Sequence, residues 1–457
     1  MMDKRIALVI ATIASFITPF MVSAVTIALP LIGNEFSMTA IALGWVATAY
    51  LLAAAVFLLP FGKIADIHGR KRVFLAGMAV YTAASFLCGI APRPSFLIAF
   101  RVAQGLGAAM IFSTSVAIVT SVFPAGERGG ALGITIAATY FGLSLGPVLG
   151  GFLAQHLGWR SIFFVTVPLG LIVIALIVWK LTGEWAESRG ERFDLAGGLL
   201  CGISLAALMY GFTLLPAPAG AWLILGGALG IGGFALREMR ISNPLLHMDL
   251  FIRNRVFAFS NLAALINYSA SNAVTFLMSL YLQYIKALSP QEAGLVLVAQ
   301  PVMMAAFSPL AGRLSDRIES RIVASIGMAL TGAALFAFIF ISRETSLLAI
   351  ALILMLLGFG FALFSSPNMN SIMGSVEKRF YGVASATLAT MRMTGQMLSM
   401  GIAMLIFAFE IGPVPITPER HGAFLTSLRS AFIIFSVLSA AGVFASLARG
   451  SSRSKDA

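Results

Sequence analysis

Charged side chains are scarce in this sequence, and their scarcity excludes a water-soluble fold. Only 11% of the 457 residues are Asp, Glu, Lys or Arg, whereas soluble domains carry roughly 25%. Hydrophobic residues make up 59% of the chain, and the mean hydropathy is +0.96. The apolar runs are long and unbroken, unlike the strands of a membrane barrel, which alternate in polarity over about 10 residues. The composition therefore predicts membrane-spanning helices.

Cysteine and histidine are also rare, which leaves little material for a metal centre or a catalytic cluster. Cys88 and Cys201 lie inside apolar runs and are interpreted as small buried hydrophobic residues. The four histidines are scattered along the chain, and no G-x-x-x-x-G-K-[ST] phosphate loop is present. The sequence predicts no metal site, no cofactor, no enzyme activity and no direct use of ATP.

Hydropathy predicts fourteen transmembrane spans joined by short connections. They cover residues 7–30, 41–61, 73–91, 95–122, 131–155, 160–182, 195–215, 220–237, 256–285, 291–311, 322–342, 346–367, 381–408 and 427–448. An even number of spans places both termini on one side of the membrane.

The distribution of basic residues predicts which side that is. Of the 30 Lys and Arg residues, 22 fall on the side of the termini, six on the other side, and Arg101 and Arg392 within spans. The positive-inside rule then places both termini in the cytoplasm, in the plasma (inner) membrane of a prokaryote. Segments 183–193 and 238–254 are expected to be cytoplasmic and 409–426 exterior. The net charge of +12 thus indicates topology and not nucleic-acid binding.

A repeated connection predicts how the spans are grouped. The connection after span 2 has Gly62 and, four residues later, Asp66 before a basic cluster, and the connection after span 10 repeats this order with Gly312 and Asp316. One such match could be an ordinary short Gly- and Arg-rich loop, but two at equivalent positions favour a duplicated bundle. The predicted fold is an all-α membrane protein of two six-helix bundles plus two inserted helices. Its segments are 1–182, 183–255 with spans 7 and 8, 256–448, and a cytoplasmic tail at 449–457.

Several motifs resemble those of the major facilitator superfamily. The segment from Gly62 to Arg72 is similar to its signature loop, and Arg101-Val-Ala-Gln104-Gly105-Leu-Gly107 resembles the arginine motif of its drug:proton antiporter branch. Gly142-Leu-Ser-Leu-Gly146-Pro147-Val-Leu-Gly150-Gly151 in span 5 is similar to the antiporter motif of that branch. With Thr48-Ala-Tyr50 and Ser365-Ser-Pro367-Asn368, the whole chain resembles the fourteen-helix multidrug exporters. The resemblance implies a monomer in the lipid bilayer that exports hydrophobic drugs or metabolites by alternating access, with protons as the coupling ion.

The span 5 motif has a direct physical interpretation. Gly142, Gly146 and Gly150 recur every fourth residue on one helix face, where small residues let another helix approach closely. Pro147 removes one backbone hydrogen bond and kinks the span. A close and bent contact suits a seal and pivot between two states, and ordinary tight packing is the alternative.

The connection after span 2 is a second candidate gate. Its glycines permit tight turning, and Asp66 is placed to pair with Arg70 or Arg128 in one conformation only. A surface pair contributes about 0–1 kcal/mol, so its role would be to bias a two-state equilibrium. A solvated loop that only sets topology is the alternative. The candidate gating residues are Gly62, Asp66, Gly69, Arg70, Lys71, Arg128, Gly142, Gly146, Pro147, Gly150 and Asp316.

Arg101 and Arg392 are the two charges that the sequence places inside the membrane. A central arginine costs about 2.5–3.5 kcal/mol on insertion scales, so each is expected to face a bundle interior or a wet cavity. Arg392 lies near mid-bilayer and is predicted to face the central cavity. Taken singly, each of the other polar residues is better explained by hydrogen bonds between helices than by substrate contact. The candidate path residues are Trp45, Tyr50, Gln104, Tyr140, Asn267, Tyr268, Gln300, Asn368 and Gln396.

The chain departs from the resembled exporters in its acidic residues. Those exporters carry an acidic residue nine positions before the proline that ends span 1, but here Met21 stands at that distance from Pro30. The candidate proton carriers are therefore at the rims of spans, at Glu35, Glu292 and Glu410. A positive interior favours neutral or anionic substrates over cations. A facilitative uniporter, an importer or a channel remains an alternative, and a membrane enzyme is disfavoured.

Overall fold

The computed structural model describes residues 4–124, 127–186, 190–191, 193–241, 244–246, 248–377 and 381–450. Every regular element within these ranges is a helix, which confirms the all-helical prediction. Thirteen helical stretches among them are long and apolar enough to cross a membrane. The stretch from Arg255 to Ile285 is interrupted at Asn272 and adds a further span, in agreement with about fourteen.

The first bundle places α5 along α1 and α4 between α2 and α3. Its helices are α1 (Lys4–Phe36), α2 (Ala40–His68), α3 (Arg70–Gly89), α4 (Pro94–Val122), α5 (Arg128–His156) and α6 (Arg160–Trp179). The hydroxyl of Thr39 accepts the amide hydrogen bond of Ala42 and caps α2, while Pro94 opens α4, where a missing N–H costs nothing.

An accessory unit follows the first bundle. It consists of α7 (Leu195–Leu214), α8 (Pro218–Glu238) and the short α9 (Met248–Arg253). Arg237 at the end of α8 donates two hydrogen bonds, of 2.9 and 2.7 Å, to the buried carboxylate of Asp194 before α7. These bonds lower the pKa of the Asp194 carboxyl, so the pair stays ionised at neutral pH and is lost only as the pH falls through that lowered value.

The second bundle contains spans whose helices are interrupted. Its helices are α10 (Arg255–Ser271), α11 (Ala273–Leu280) with a π-helical turn (Tyr281–Ile285), α12 (Pro290–Leu297), α13 (Ala299–Arg317), α14 (Ser320–Phe338), α15 (Leu347–Gly374), α16 (Tyr381–Glu410) and α17 (His421–Ala448). At the α10–α11 break, the hydroxyl of Ser399 on α16 accepts the hydrogen bond of the Ala273 N–H at 2.9 Å. A side chain of a neighbouring helix thus satisfies a backbone group that the break releases.

Both predicted loops of the repeat are largely helical, which corrects their assignment as connections. α2 continues through Asp66 to His68, and Gly69, with φ of +117°, is the single residue between α2 and α3. In the second bundle α13 continues to Arg317 and α14 starts at Ser320. The polar motifs therefore form the last turns of long helices that extend past the apolar runs. We call the side of the membrane on which these turns and both ends of the described chain lie the terminal side. The opposite side of the membrane is called the distal side.

Candidate functional site

On the distal side, hydrogen bonds join the two bundles along α1 and α11. The hydroxyl of Ser279 donates to the carbonyl of Thr26 at 2.9 Å, and the amide of Gln283 donates to the carbonyl of Ile27 at 2.9 Å. Gln283 lies in the π-helical turn, a local widening that is common at functional sites. The distal end of the interface between the bundles is closed here.

A second distal contact joins α5 to α12 at backbone distance. A Cβ on Gly294 would lie 2.1 Å from the carbonyl oxygen of Pro147, and one on Gly151 would lie 2.5 Å from that of Pro290. A ring nitrogen of His156 and the side-chain oxygen of Gln291 are 3.2 Å apart at the rim. Because only glycine allows this approach, α5 and α12 pack at backbone distance, and this contact is the candidate α5–α12 gate.

The same face of α5 separates from the second bundle towards the terminal side. Gly133, Ala137, Tyr140, Pro147 and Gly151 follow one another at helical spacing on this face. Pro147 and Gly151 are packed, whereas Gly133 and Ala137 are exposed and nothing lies within 4 Å of a Cβ on Gly133. The interface is thus shut distally and opens as a cleft on the terminal side.

The predicted glycine face of span 5 packs against α1, within the first bundle. Cβ atoms on Gly146 and Gly150 would lie 2.6 Å from the Cβ atoms of Ser23 and Ala24. The Ser23 hydroxyl donates at 3.3 Å to the carbonyl of Leu143, the group whose helical partner Pro147 removes. Close approach is as expected, but the helix that approaches is α1, and the contact between bundles uses the neighbouring face of α5.

At the apex of the cleft, aromatic hydroxyl groups converge on Arg392 of α16. The guanidinium interacts with the hydroxyl of Tyr268 on α10 and lies within electrostatic range of Tyr50 on α2. Tyr140 on α5 lies within electrostatic range of Tyr268. Arg392 Nε is buried without a hydrogen-bond partner, and the described residues place no carboxylate in an ion pair with Arg392. Arg392 and Tyr268, two predicted residues of the second bundle, therefore meet at a site where the guanidinium has unused donor capacity.

Arg101, by contrast, is fully occupied inside the first bundle. Its side chain is 1% exposed, donates from Nε to the carbonyl of Val46 at 2.9 Å, and contacts the side-chain oxygen of Gln104. Its guanidinium carbon lies 4.5 Å from the ring centroid of Tyr50. Gln104 in turn donates to Ser85 at 2.7 Å. Arg101 and Gln104 thus connect α2, α3 and α4.

A further arginine, at the first position of the predicted cytoplasmic tail, has a buried side chain. Arg449 is 1% exposed and donates to the side-chain oxygen of Asn368 at 3.0 Å and to Ser446 at 2.7 Å. Asn368 also donates to the carbonyl of Ser260 at 3.2 Å. These contacts join α10, α15 and α17 at the terminal side, and they occupy the polar groups of Asn368. Arg449 was not singled out from the sequence, because it begins a basic tail. The serines of α17, which recur at helical spacing, were the signal that could have indicated its buried position.

The remaining candidate path residues are dispersed. Trp45 packs against Tyr210 of α7, with ring centroids 6.4 Å apart, on the accessory side. Asn267 is fully buried in α10, and neither of its side-chain polar atoms has a hydrogen-bond partner. Gln300 accepts a hydrogen bond from Thr275 at 3.4 Å, and the backbone carbonyl of Gln396 accepts one from Asn272 at 3.5 Å.

The three candidate proton carriers lie at the distal rim in different settings. Glu35 is paired with Arg160 at 2.7 Å and accepts a hydrogen bond from Trp159, within the first bundle. Glu292 forms a capping box with Ser289 at the start of α12, beside the α5–α12 gate. Glu410 is exposed at the end of α16.

The motif at the α2–α3 junction is held by contacts between its own residues and by contacts with the linker that precedes α7. Asp66 accepts a hydrogen bond from Arg70 at 2.9 Å, one of the two predicted pairings. The carboxylate of Glu184 accepts the hydrogen bond of the Lys71 N–H at 2.9 Å and occupies the space beside Gly69. A Cβ on Gly62 would lie 3.7 Å from Ser113. The side chains of Arg128 and Asp316 lie outside the described part of the structure.

Two helical bundles, joined at one end and separated by a cleft with a polar apex, form an arrangement on which many secondary membrane transporters are built. Residues 11–198 and 260–456 match the family model of the Major Facilitator Superfamily, and the chain belongs to that superfamily. It is therefore a multi-pass membrane transporter and not an enzyme. The unmatched stretch contains most of the accessory unit.

Comparisons with known proteins agree with this assignment. The chain is 33% identical over 397 residues to the riboflavin transporter RibZ of Clostridioides difficile (strain 630), with 86% of each chain covered. It is 34% identical over 389 residues to the multidrug resistance protein Stp of Mycobacterium tuberculosis (strain CDC 1551 / Oshkosh), covering 83% of this chain and 71% of that one. A bacterial homolog of the human lysosomal transporter Spinster shares the fold, with a TM-score of 0.71 at 16% identity and coverage of 98% and 97%.

Proposed function

We propose that this chain is a proton-coupled exporter of hydrophobic small molecules that are neutral or anionic. Both termini are assigned to the cytoplasm, on the strength of the positive-inside bias. In this orientation the cleft faces the cytoplasm, and the structure corresponds to the state that loads substrate. The closed distal end of the interface must then open to release the substrate.

The Arg392 site is the observation that carries the substrate class. The guanidinium supplies hydrogen-bond donors and one positive charge beside the hydroxyl of Tyr268, and no described carboxylate pairs with the guanidinium. Charge-assisted hydrogen bonds to an anionic or carbonyl oxygen are roughly twice as strong as neutral ones, whereas a cation at this site would be repelled. The relatives named for riboflavin transport and for multidrug resistance support small organic substrates with planar, acceptor-rich groups.

Among the rim carboxylates, Glu292 is the one we assign to proton coupling. It lies one residue from Gln291, which contacts His156 across the two bundles. Protonation of Glu292 removes the charge that accepts hydrogen bonds from Ser289 at the start of α12. A change in the hydrogen bonds at the start of α12 therefore directly affects the α5–α12 gate. Glu35 is committed to an ion pair inside one bundle, and Glu410 is exposed at the end of α16.

Transport by the purified protein in proteoliposomes tests this proposal. A panel of planar compounds matched in size, with cationic, neutral and anionic members and including riboflavin, should show uptake into inside-out oriented vesicles for the neutral and anionic members only. Each turnover should move protons in the opposite direction, reported by a trapped pH dye. Saturable uptake with counterflow but without proton movement would instead establish a uniporter. Preferential transport of the cations would exclude the assigned substrate class.

A further inference from the structure

A buried carboxylate at the terminal end of α8 has one oxygen without a donor. Glu238 is 3% exposed, and its Oε2 accepts the hydrogen bond of the Leu246 N–H at 2.8 Å. Its other oxygen, Oε1, is buried without a hydrogen-bond partner among the described residues. Both residues lie between residues 198 and 260, the stretch that the superfamily model does not match. An ionised carboxylate is costly in this setting, because Oε1 has lost its contact with water and has gained no donor.

A second carboxylate, that of Asp194, lies beside this oxygen. A Cβ on Gly197 of α7 would lie 2.3 Å from Oδ2 of Asp194 and 3.1 Å from Oε1 of Glu238, so both oxygens border the same small space. Arg237 and the backbone N–H groups of Ala196 and Gly197 donate to Asp194 and keep it ionised. Two ionised carboxylates this close repel each other, whereas one proton between them removes the repulsion and completes Oε1.

The surroundings of Glu238 leave Asp194 as the partner for a proton on Oε1. Among the described residues, the charged or titratable groups that act on Glu238 are Asp194, Arg237 and Cys201. Arg237 is already bound to Asp194 through two nitrogens, and a thiol carries no charge at neutral pH. From α2 and α9 the neighbouring side chains are apolar, among them Leu59 and Phe251. Lys63, at the terminal end of α2, is paired with Glu191.

The hydrogen bond between Glu238 and Leu246 fixes the linker that leads into the second bundle. Leu246 packs with Leu59 of α2, a helix of the first bundle. Beyond Leu246 the chain passes through α9 into α10, which carries Tyr268 of the Arg392 site. Asp194, Glu238 and the backbone of Leu246 are named the accessory clasp. The clasp therefore holds the start of the second bundle against the first.

We propose that the accessory clasp is a proton-binding site on the terminal side, and that its occupancy sets how firmly the linker is held on α2. A proton taken from water on that side binds Oε1 of Glu238, and the resulting O–H donates to Oδ2 of Asp194, while Oε2 still accepts from Leu246. Loss of the proton to the same water leaves two carboxylates that repel each other. The clasp then loosens, and the second bundle moves more freely against α2. The effect on transport rests on the proposed export function, whereas proton binding by the clasp does not.

Infrared spectroscopy of the purified protein tests proton binding directly, because a protonated carboxyl group has a C=O stretch that an ionised carboxylate lacks. In a titration from about pH 5 to about pH 9, one such band should disappear as the pH rises, and Glu238→Gln should remove that band from the series. The control is Glu191→Gln, an exposed carboxylate before α7, which should leave the band in place. A Glu238 band that is absent at the lowest pH, or that persists at the highest, would overturn the switch.

Thermal unfolding tests the consequence for the fold. Stability that depends on the bound proton is present at low pH and is lost as the pH rises through the titration of Glu238, so Tm of the unmutated protein should fall over that range. Glutamine is neutral and can donate to Asp194, so Glu238→Gln should keep the low-pH Tm throughout. Glu238→Ala also removes the acceptor of Leu246 and should melt lower at every pH. A Glu238→Gln protein whose Tm follows the unmutated protein would contradict the clasp.

Substrate exchange at equal pH on both sides of the vesicle tests the regulatory role without a pH gradient. The exchange rate of the unmutated protein should rise about fivefold as the pH rises through the titration, and Glu191→Gln should behave in the same way. Glu238→Gln should stay at the low-pH rate. The same rise in Glu238→Gln would refute the regulatory role. If the unmutated protein exchanges no compound of the panel, the export proposal fails, and the infrared titration still decides whether the clasp binds a proton.

Discussion

Arg101, Arg449 and Arg392 lie among the packed helices, and the partners of each indicate its role. Arg101 is satisfied by the carbonyl of Val46 and by Gln104. Arg449 is satisfied by Ser446 and Asn368. Arg392 alone among these three has a buried nitrogen, Nε, without a partner. A buried donor without a partner is expensive unless a ligand completes it, which supports the proposed binding role of Arg392 and a structural role for the other two.

Substitution of Arg392 should therefore affect transport more than folding. Arg392→Met removes the desolvation cost, so folded yield should equal or exceed that of the unmutated protein, while transport of anionic compounds should fall by about 10- to 100-fold, the loss of a charged hydrogen bond. Arg392→Lys should retain part of it, because the charge remains and the planar fork of donors is lost. Folded yield from size-exclusion profiles and initial rates per folded molecule measure the two effects.

The matched control is Arg101→Met, which leaves the side-chain oxygen of Gln104 without its donor inside the first bundle and removes the contact with the carbonyl of Val46. Its folded yield should fall, with the rate of the surviving molecules close to normal. Unchanged anion transport per folded molecule in Arg392→Met would remove Arg392 from the substrate site.

Sequence reasoning identified both intramembrane arginines but could not separate them. Hydropathy shows that a charge lies in a span, whereas its role depends on neighbours more than 50 residues away, such as Val46 for Arg101 and Tyr268 for Arg392. Arg449 was missed because a basic residue at a chain end ordinarily marks the cytoplasmic side. Its partners come from three separate helices, which no local pattern encodes.

At the scale of the helix, two faces of α5 make different contacts. Its glycine face packs on α1, and Ser23 donates a hydrogen bond to the carbonyl that Pro147 leaves without a helical partner. Its adjacent face, with Pro147 and Gly151, meets α12 only where the distal gate is closed. The sequence predicted close helix contact from glycine spacing, but the spacing cannot indicate which helix approaches.

This division predicts opposite effects for two glycine substitutions. Gly294→Ala on α12 places a methyl group 2.1 Å from the Pro147 carbonyl and so disfavours the closed distal gate by about 1–3 kcal/mol. Gly150→Ala crowds Ala24 of α1 and should lower thermal stability without shifting the gate equilibrium. A cysteine reporter at Ser279, buried in the closed gate, measures gate opening through labelling by an impermeant thiol reagent. Equal labelling in the two variants would contradict the assignment of α12 as the gating partner.

At the scale of the whole molecule, the span count and the paired bundles follow from hydropathy and the repeated Gly-and-Asp motif. The structure differs at the helix ends, because α2 and α13 carry their polar motifs as extra helical turns beyond the apolar runs. The break in α10–α11 was also invisible, since Ser399 satisfies it from 126 residues away. Long-range hydrogen bonds, and not local composition, decide such features.

The orientation of the molecule gives the last prediction, and the direction of transport depends on it. With cytoplasmic termini, the linker before α7 is inside the cell and the start of α17 outside. In a chain with Cys88→Ala and Cys201→Ala, the cysteine of Gly422→Cys should react with an impermeant maleimide in intact cells. The cysteine of Gly190→Cys should react only in inside-out vesicles. Both positions have open space at the Cβ, so access to reagent and not packing governs labelling. Labelling of Gly190→Cys in intact cells would reverse the orientation, turn the cleft towards the exterior and make this structure the loading state of an importer.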